Sequence, residues 1–240
     1  RNVTGVQTCA LPIFVSKFYP GPVITVSIEP THAFNNRSGM ASSTRNKAIE
    51  IWKTQLPGSN HELNARLLFS YDNPPGTKDI SGSQDSIGIV YPALNKLNYN
   101  GQYWPELIES IYDESALRFI ENHLQLISLG PRNSSYSVVD NTNITQEGAM
   151  NLALASNLCW EAIQKQDLVS FGNAIELSFE AQINMFPNMV DESIKEMISQ
   201  YKNMAHGYKL SGAGGGGYLI LVTDKQIEGA ITIRIRRAGQ

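Results

Sequence analysis

The chain has 240 residues, 42% of them hydrophobic and 17% charged, with a mass of 26.5 kDa and a mean hydropathy of −0.22. That is enough apolar material for one large or two small domains at about 100–200 residues each, and it excludes a disordered polyelectrolyte and a coiled coil. Lys and Arg number 19 against 22 Asp and Glu, a net charge of −3; the absence of a basic block excludes nucleic acid as a partner, and the absence of an apolar run near the ~20 residues of a spanning helix excludes a transmembrane segment.

Two cysteines, Cys9 and Cys159, cannot build a disulfide framework. The expected compartment is reducing and cytoplasmic, where the Asn143-Ile144-Thr145 sequon carries no glycan. Residues 1–13, R-N-V-T-G-V-Q-T-C-A-L-P-I, lack helical and strand periodicity and the three regions of a signal peptide. They resemble translated sequencing-adapter read-through and are set aside as non-native, which makes Phe14 the first native residue and leaves the native N terminus missing.

From Val23 to Glu29 the alternation V-I-T-V-S-I-E predicts a half-buried strand. After a polar loop, S-G-M-A-S-S-T-R (Ser38 to Arg45) runs into a helix with Ala48, Ile49 and Trp52 at helical spacing. Ser59 and Glu62 have the form of a capping box for a second helix, with Leu63, Leu67 and Tyr71 on one face and an end at Asp72 or Asn73 before Pro74-Pro75-Gly76. Ile80 to Tyr91 is ambiguous between helix and strand, Leu94 to Tyr99 reads as a strand, Ser115 to Asn122 as a helix, Leu124 to Leu129 as a strand, and Gly130 to Asn143 as a loop. Three amphipathic helices follow, over Thr145 to Lys165, Asp167 to Asn184 and Asp191 to His206, with Asp191 as N-cap of the last and Phe171, Ile175 and Phe179 as core. A glycine-rich connector from Lys209 to Tyr218 leads to a buried strand at Leu219 to Thr223, and a last alternating strand spans Ala230 to Arg236. Strands and helical blocks without regular alternation predict an α+β fold with antiparallel pairing.

Three segments could carry chemistry. The loop at Ser38 to Arg45 opens a helix, whose free N–H groups and positive dipole end attract anions; an ordinary capped helix explains it equally well, and it is not a Walker A motif. The stretch from Gly212 to Gly217 holds five glycines in six residues, more than a connector needs at about 0.5–1 kcal/mol of chain entropy each, so a ligand or another backbone is expected close by. Asp72, Asp79 and Asp85 are the residue types phosphoryl transfer uses to orient an acceptor and hold Mg²⁺, although loops contain such residues by default. His32, His61, His123 and His206 share no metal-ligand spacing, and Cys159 lies on a core face.

Taken in order, S-G-M-A-S-S-T-R, S-G-S-Q-D-S-I-G and K-L-S-G-A-G-G-G-G-Y-L-I-L-V resemble the GHMP small-molecule kinases, which include galactokinase, homoserine kinase, mevalonate kinase and phosphomevalonate kinase. The Gly82-Ser83-Gln84-Asp85 turn is most similar to the branch of heptose-phosphate kinases and fucokinases. The resemblance runs from Val23 to the C terminus. It implies an α+β, two-domain fold: a partial N-terminal ribosomal-protein-S5-like domain over 14–119 and a ferredoxin-like α/β domain over 120–240. It also implies ATP and Mg²⁺ as cofactors and a sugar or sugar phosphate as the small-molecule partner.

By that resemblance Ser38, Gly39, Ala41, Ser42, Ser43 and Thr44 form the phosphate loop, and Ser42 or Ser43 reaches Mg²⁺, with Ser43 and Asp72 as the metal pair. Asp85 is the catalytic carboxylate facing the acceptor hydroxyl, Gly212, Gly214 and Gly215 close over the substrate, and Arg132 pairs with a substrate phosphate. The chain departs from the family at Ala41, where glycine is usual, at Arg45, where a small or apolar residue is usual, at Ser86, where glutamine is common, and at Asp72, where glutamate is commoner. The family's first strands would precede Val23, so the chain as written is expected to be a C-terminal part of a kinase, poorly soluble and inactive by itself. The expected parent is a sugar kinase of the heptose-phosphate or fucose type. The alternatives are a galactokinase, homoserine kinase or mevalonate kinase of the same family, or a protein of the same fold that senses sugar or ATP without turnover.

Overall fold

A computed structural model describes residues 19–29, 39–53, 55–78, 80–131 and 141–239, together with the backbone of 4–9. Ser38, His32, Asp79 and Arg132, and with them most of the expected loop up to Asn143, lie outside the described residues.

The strands are β1 (Thr4–Cys9), β2 (Gly21–Ile28), β3 (Leu94–Tyr99), β4 (Leu107–Ile111), β5 (Leu124–Gly130), β6 (Gly207–Leu210), β7 (Gly217–Val222) and β8 (Ile231–Thr232). The helices are α1 (Ser42–Trp52), α2 (His61–Asp72), α3 (Ser83–Val90), α4 (Glu114–His123), α5 (Gln146–Lys165), α6 (Leu168–Met185) and α7 (Glu192–Tyr201). Two four-stranded sheets result, in the orders β1-β2-β3-β4 and β6-β7-β5-β8, and every described pairing is antiparallel. This is the α+β class that the sequence pattern predicts.

β2 is buried on both faces rather than half-buried. Ile24, Val26 and Ile28 point into a core shared with Leu126, Ile220 and Val222 of the second sheet and with Trp160, Ile163, Phe171 and Ile175 of α5 and α6. Val23, on the other face, joins a second cluster with Ile87 and Leu68, and the threonine and serine on that face are almost fully buried as well. The period of two is therefore real, but it sorts two different cores rather than core and solvent.

Several expectations need correction. Residues 4–9 form a strand on the open edge of β2; edge pairing needs backbone groups, not an apolar pattern, so periodicity has nothing to report there. The Ser59–Glu62 capping box does not form: Asn60 is the N-cap, in the left-handed region, without a side-chain cap. Leu63, Leu67 and Tyr71 do share a face of α2, but it is the exposed one, while Ala65 and Leu68 are buried. The ambiguous segment is helical from Ser83 to Val90. The last long helix stops at Tyr201, followed by one 3₁₀ turn, and Gly207 to Leu210 is a strand. The expected strand at Ala230 to Arg236 pairs with β5 only over Ile231 and Thr232. The chain then crosses to the first sheet, where Ile235 bridges Ile28 and the Arg236 N–H donates to the Ser27 carbonyl at 2.8 Å.

Candidate active site

The first glycine segment enters α1 through Gly39 at φ +75 and Ala41 at φ 51, both left-handed. The position taken by Ala41 thus asks for glycine on backbone grounds alone, since Cβ crowds the following carbonyl there. Ala41 is the N-cap of α1 and has no side chain with which to cap it, so the first N–H groups of α1 keep the positive end of the helix dipole.

The two glycine loops meet. A Cβ placed on Gly39 would lie 2.6 Å from the Ser211 carbonyl oxygen, and one on Gly212 would lie 2.6 Å from the Gly39 Cα. No side chain fits at either position, and this explains the glycine at 212 better than flexibility does. The rest of the second loop is anchored too: the Gly215 N–H donates to the Met189 carbonyl at 2.9 Å, and Ser211 and Tyr218 close its base through hydrogen bonds of 2.8 and 3.0 Å. The connector is a held structure between β6 and β7. The expectation that another backbone approaches is met at Gly39.

Behind the first loop, Thr44 is buried and its hydroxyl donates to Asp72 Oδ2 at 2.8 Å. Asp72 ends α2 with its carboxylate only 7% exposed, and its Oδ1 takes the Lys47 ammonium at 2.8 Å. Lys47 donates as well to the Asp72 carbonyl at 3.2 Å, and the Ser81 hydroxyl donates to Oδ2 at 3.1 Å. Asn73 accepts the Ser81 N–H at 2.7 Å, which ties the end of α2 to the approach to α3. Among the resemblance-derived metal pair, Ser43 is exposed; the hydroxyl that the structure brings to Asp72 is that of Thr44. Sequence reasoning assigned Thr44 to the phosphate loop without linking it to Asp72, and Lys47 was missed. Its signal was its place one helical turn after Ser43 and Thr44, on the face that meets α2.

Asp85 lies half-buried in the first turn of α3. The adjacent Ser83 donates its proton to the Tyr103 carbonyl at 2.5 Å, so the 2.8 Å contact with Tyr99 has the phenol donating. Burial drives the Tyr99 phenol far above its ordinary range, and the Asp85 charge pushes it further the same way. Arg45, read from sequence as a mere departure, has its Nε on the Met40 carbonyl at 3.2 Å. Burial lowers its pKa, while the charges of Tyr218 and Asp85 work against that shift. The guanidinium is thus subject to the charge of the α3 carboxylate and to that of Tyr218, which follows the glycine loop.

Among the described residues no cluster of three or more His, Cys, Asp or Glu could hold a metal by itself. Asp72 and Thr44 nevertheless offer two hard oxygen donors 2.8 Å apart, which fits Mg²⁺, an ion that commonly takes one or two carboxylates and completes its shell with water and substrate phosphates. Beside this pair a cleft opens on Lys47, Leu67, Tyr71, Pro74 and Pro75.

Residues 160–237 match the family model described as GHMP kinases C terminal. About a third of the chain is thus similar to the C-terminal domain of GHMP kinases. The chain is similar to the L-fucokinase/L-fucose-1-P guanylyltransferase of Bacteroides fragilis, 36% identical over 74 residues, a match that covers 31% of the chain and 8% of that protein. Its fold is similar to that of a mevalonate kinase crystal structure, with a TM-score of 0.70 at 14% identity over 98% of both chains. A D-glycero-D-manno-heptose 1-phosphate kinase from Bacteroides thetaiotaomicron gives a TM-score of 0.53 at 12% identity, covering 99% of this chain and 97% of the other. The α+β expectation and the family resemblance both stand. No helix among the described residues is long and apolar enough to cross a membrane.

Proposed function

We propose that this chain forms the catalytic centre of an ATP- and Mg²⁺-dependent GHMP-type kinase whose acceptor is a hydroxyl of a sugar or sugar phosphate, of the fucose or heptose-phosphate type. The observation that carries the reading is the backbone contact between the two glycine loops at Gly39 and Gly212, with Thr44 and Asp72 directly behind it. Loops that bind phosphate bring backbone close to the ligand with no Cβ in the way, and the bare Cα positions of Gly39 and Gly212 support that reading.

In this reading the N–H groups at the start of α1 hold the phosphates, and Asp72 with the Thr44 hydroxyl holds Mg²⁺. When bound, that ion neutralises charge on the phosphate oxygens. Lys47 exchanges its carboxylate partner for phosphate when nucleotide arrives. Asp85 orients the acceptor hydroxyl and takes its proton; the acceptor oxygen bonds to the γ-phosphorus as the bond to the bridging oxygen breaks, and that electron pair leaves with ADP. The Arg45 and Asp85 charges act on one another, which would bring a cation near the reacting carboxylate. The cleft at Leu67, Tyr71 and Pro74 offers an apolar wall for the base. The fucokinase and heptose-phosphate kinase likenesses support the choice of a sugar acceptor.

The test is ADP release by a parent kinase that carries this chain, the chain by itself being expected to be inactive, with MgATP and, in turn, L-fucose, a heptose phosphate, galactose, mevalonate and homoserine. One of the sugars is expected to stimulate ADP release. Asp85→Asn should reduce turnover by about 10²–10⁴-fold and leave MgATP affinity within a few-fold. Full turnover in that variant would remove Asp85 from the mechanism, whereas nucleotide binding without turnover on every acceptor would mark a sensing protein.

A further inference from the structure

The helix that carries Asp85 has only eight residues, and a helix that short gains little from its own hydrogen bonds. Its placement must come from outside. Two of its anchors are local. Ser83 is held by Tyr99 and Tyr103 at the N-terminal end, and at mid-helix Gly88 sits so close on β2 that a Cβ would meet the Thr25 Cβ at 3.2 Å.

The third anchor comes from the far end of the chain. Arg236 Nη2 donates to the carbonyls of Ile89 at 3.1 Å and Val90 at 2.8 Å, the last residues of α3, which have no partner within the helix. Its Nε donates to the Ser27 hydroxyl at 3.2 Å. Its backbone is fixed on both sides, the N–H to the Ser27 carbonyl at 2.8 Å and the carbonyl to the Ala93 N–H at 2.9 Å. The residue is 7% exposed, and among the described residues no carboxylate forms an ion pair with it. Burial brings its pKa down to about 10, with the Glu29 charge pulling the other way. Placing a cation there is costly, and what it faces in return is the negative end of the α3 dipole.

We propose that Arg236 is a positioning residue for Asp85: by clamping the last two carbonyls of α3 to β2 it sets where the first turn of that helix stands. The short β8 is part of the same arrangement, because the chain leaves β5 after Thr232 in order to bring Arg236 to the first sheet. This inference rests on the reading of Asp85 as the acceptor-facing carboxylate, but its test does not depend on turnover.

The full chain is prepared as Arg236→Met, Arg236→Lys and Ser27→Ala, and hydrogen exchange is followed by peptide. In Arg236→Met the peptide over 83–90 is expected to exchange about ten-fold faster while peptides from α5 and α6 stay within about two-fold, a local opening rather than a global one. Arg236→Lys should recover part of the protection, and Ser27→Ala, which leaves α3 untouched, should give the same pattern at smaller amplitude. The Asp85 carboxyl ¹³C titration should move by about half a pH unit or more in Arg236→Met, because the first turn of α3 shifts relative to the charges around it. Equal acceleration in all peptides would make Arg236 a general stability element and overturn the proposal, as would an unmoved Asp85 titration or unchanged α3 exchange. If Arg236→Met does not fold, the two milder variants decide by the same criteria. A fully active Asp85→Asn would sink the catalytic reading and leave the Arg236 result to be judged by itself.

Discussion

Gly212→Ala tests the contact on which the site is built. Gly212 lies at φ +59, and a Cβ there would be 2.6 Å from the Gly39 Cα, whereas carbon atoms rest at about 3.5–4.0 Å, so the loops have to separate by roughly 1 Å. A non-glycine residue in the left-handed region costs about 1–2 kcal/mol, overpacking adds about 1–3 kcal/mol, and the stiffer unfolded chain returns about 0.4–1 kcal/mol. The expected net loss is about 1–4.5 kcal/mol, centred near 3. Gly229→Ala is the internal control: its φ is +76 but nothing lies within 4 Å of a Cβ, so it carries the backbone strain without the contact and should lose only about 0.5–1.5 kcal/mol. The assay is urea unfolding of both variants, compared through midpoints at constant slope, followed by MgATP titration. Gly212→Ala should weaken nucleotide binding and Gly229→Ala should not. Equal stability losses in the two variants would refute the loop contact.

Thr44→Val removes the buried hydroxyl on Asp72 and should cost about 1–2 kcal/mol of stability as well as MgATP affinity; Ser43→Ala, at an exposed position, should leave stability within about 0.5 kcal/mol and, if Ser43 touches phosphate, weaken MgATP more than the acceptor. Ala41→Gly should raise stability by roughly 0.5 kcal/mol, because relief of left-handed strain slightly exceeds the added chain entropy; a loss in urea unfolding would contradict the φ of 51. Arg237, and after it Arg118, hold the Glu114 carboxyl down at about 2 from an ordinary 4.5. A depressed carboxylate contributes stability that is complete above about pH 4.5 and fades as pH falls toward 2, so Glu114→Gln should be less stable than the parent at pH 7, flatten the acid limb of the unfolding curve in that window, and converge with the parent near pH 2. Phe171→Ala, in the core shared by both sheets, should lose about 3–5 kcal/mol by the same assay.

What periodicity could report, it reported. The strand at Leu94 to Tyr99 and the helices ending at Lys165 and near Met185 follow from patterns of two and 3.6, and Asp191 caps α7 through the Ile194 N–H at 2.9 Å. The failures have one physical origin. Gly207 to Leu210 carries too few residues to show a period, yet it is buried against α6, where Gly172 and Gly207 pack backbone to backbone. The exposed side of α2 misleads in the opposite direction, since Leu63 is 66% exposed and the apolar stripe is not the one that the core uses. β1 depends on the open edge of β2, and the edge of a sheet is invisible in the strand that joins it.

The candidate site divides along the same line. Where backbone must come close was legible, because that demand is met by composition: Gly39 and Gly212 announce themselves as glycines whether or not they touch. Which residues bond to one another was not. Thr44 and Asp72 are 28 apart in sequence, and Arg236 stands 146 and 147 residues from the carbonyls it clamps, so neither pairing leaves a local trace. Arg45 shows the limit most directly. By position it is an oddity at the start of a helix, and by structure it is a half-buried cation that feels the Asp85 charge, with its Nε fixed on the Met40 carbonyl. A substitution in a motif can thus be read as decay or as chemistry only once the opposing side chain is known, and here the opposing side chain is the carboxylate on which the proposed reaction depends.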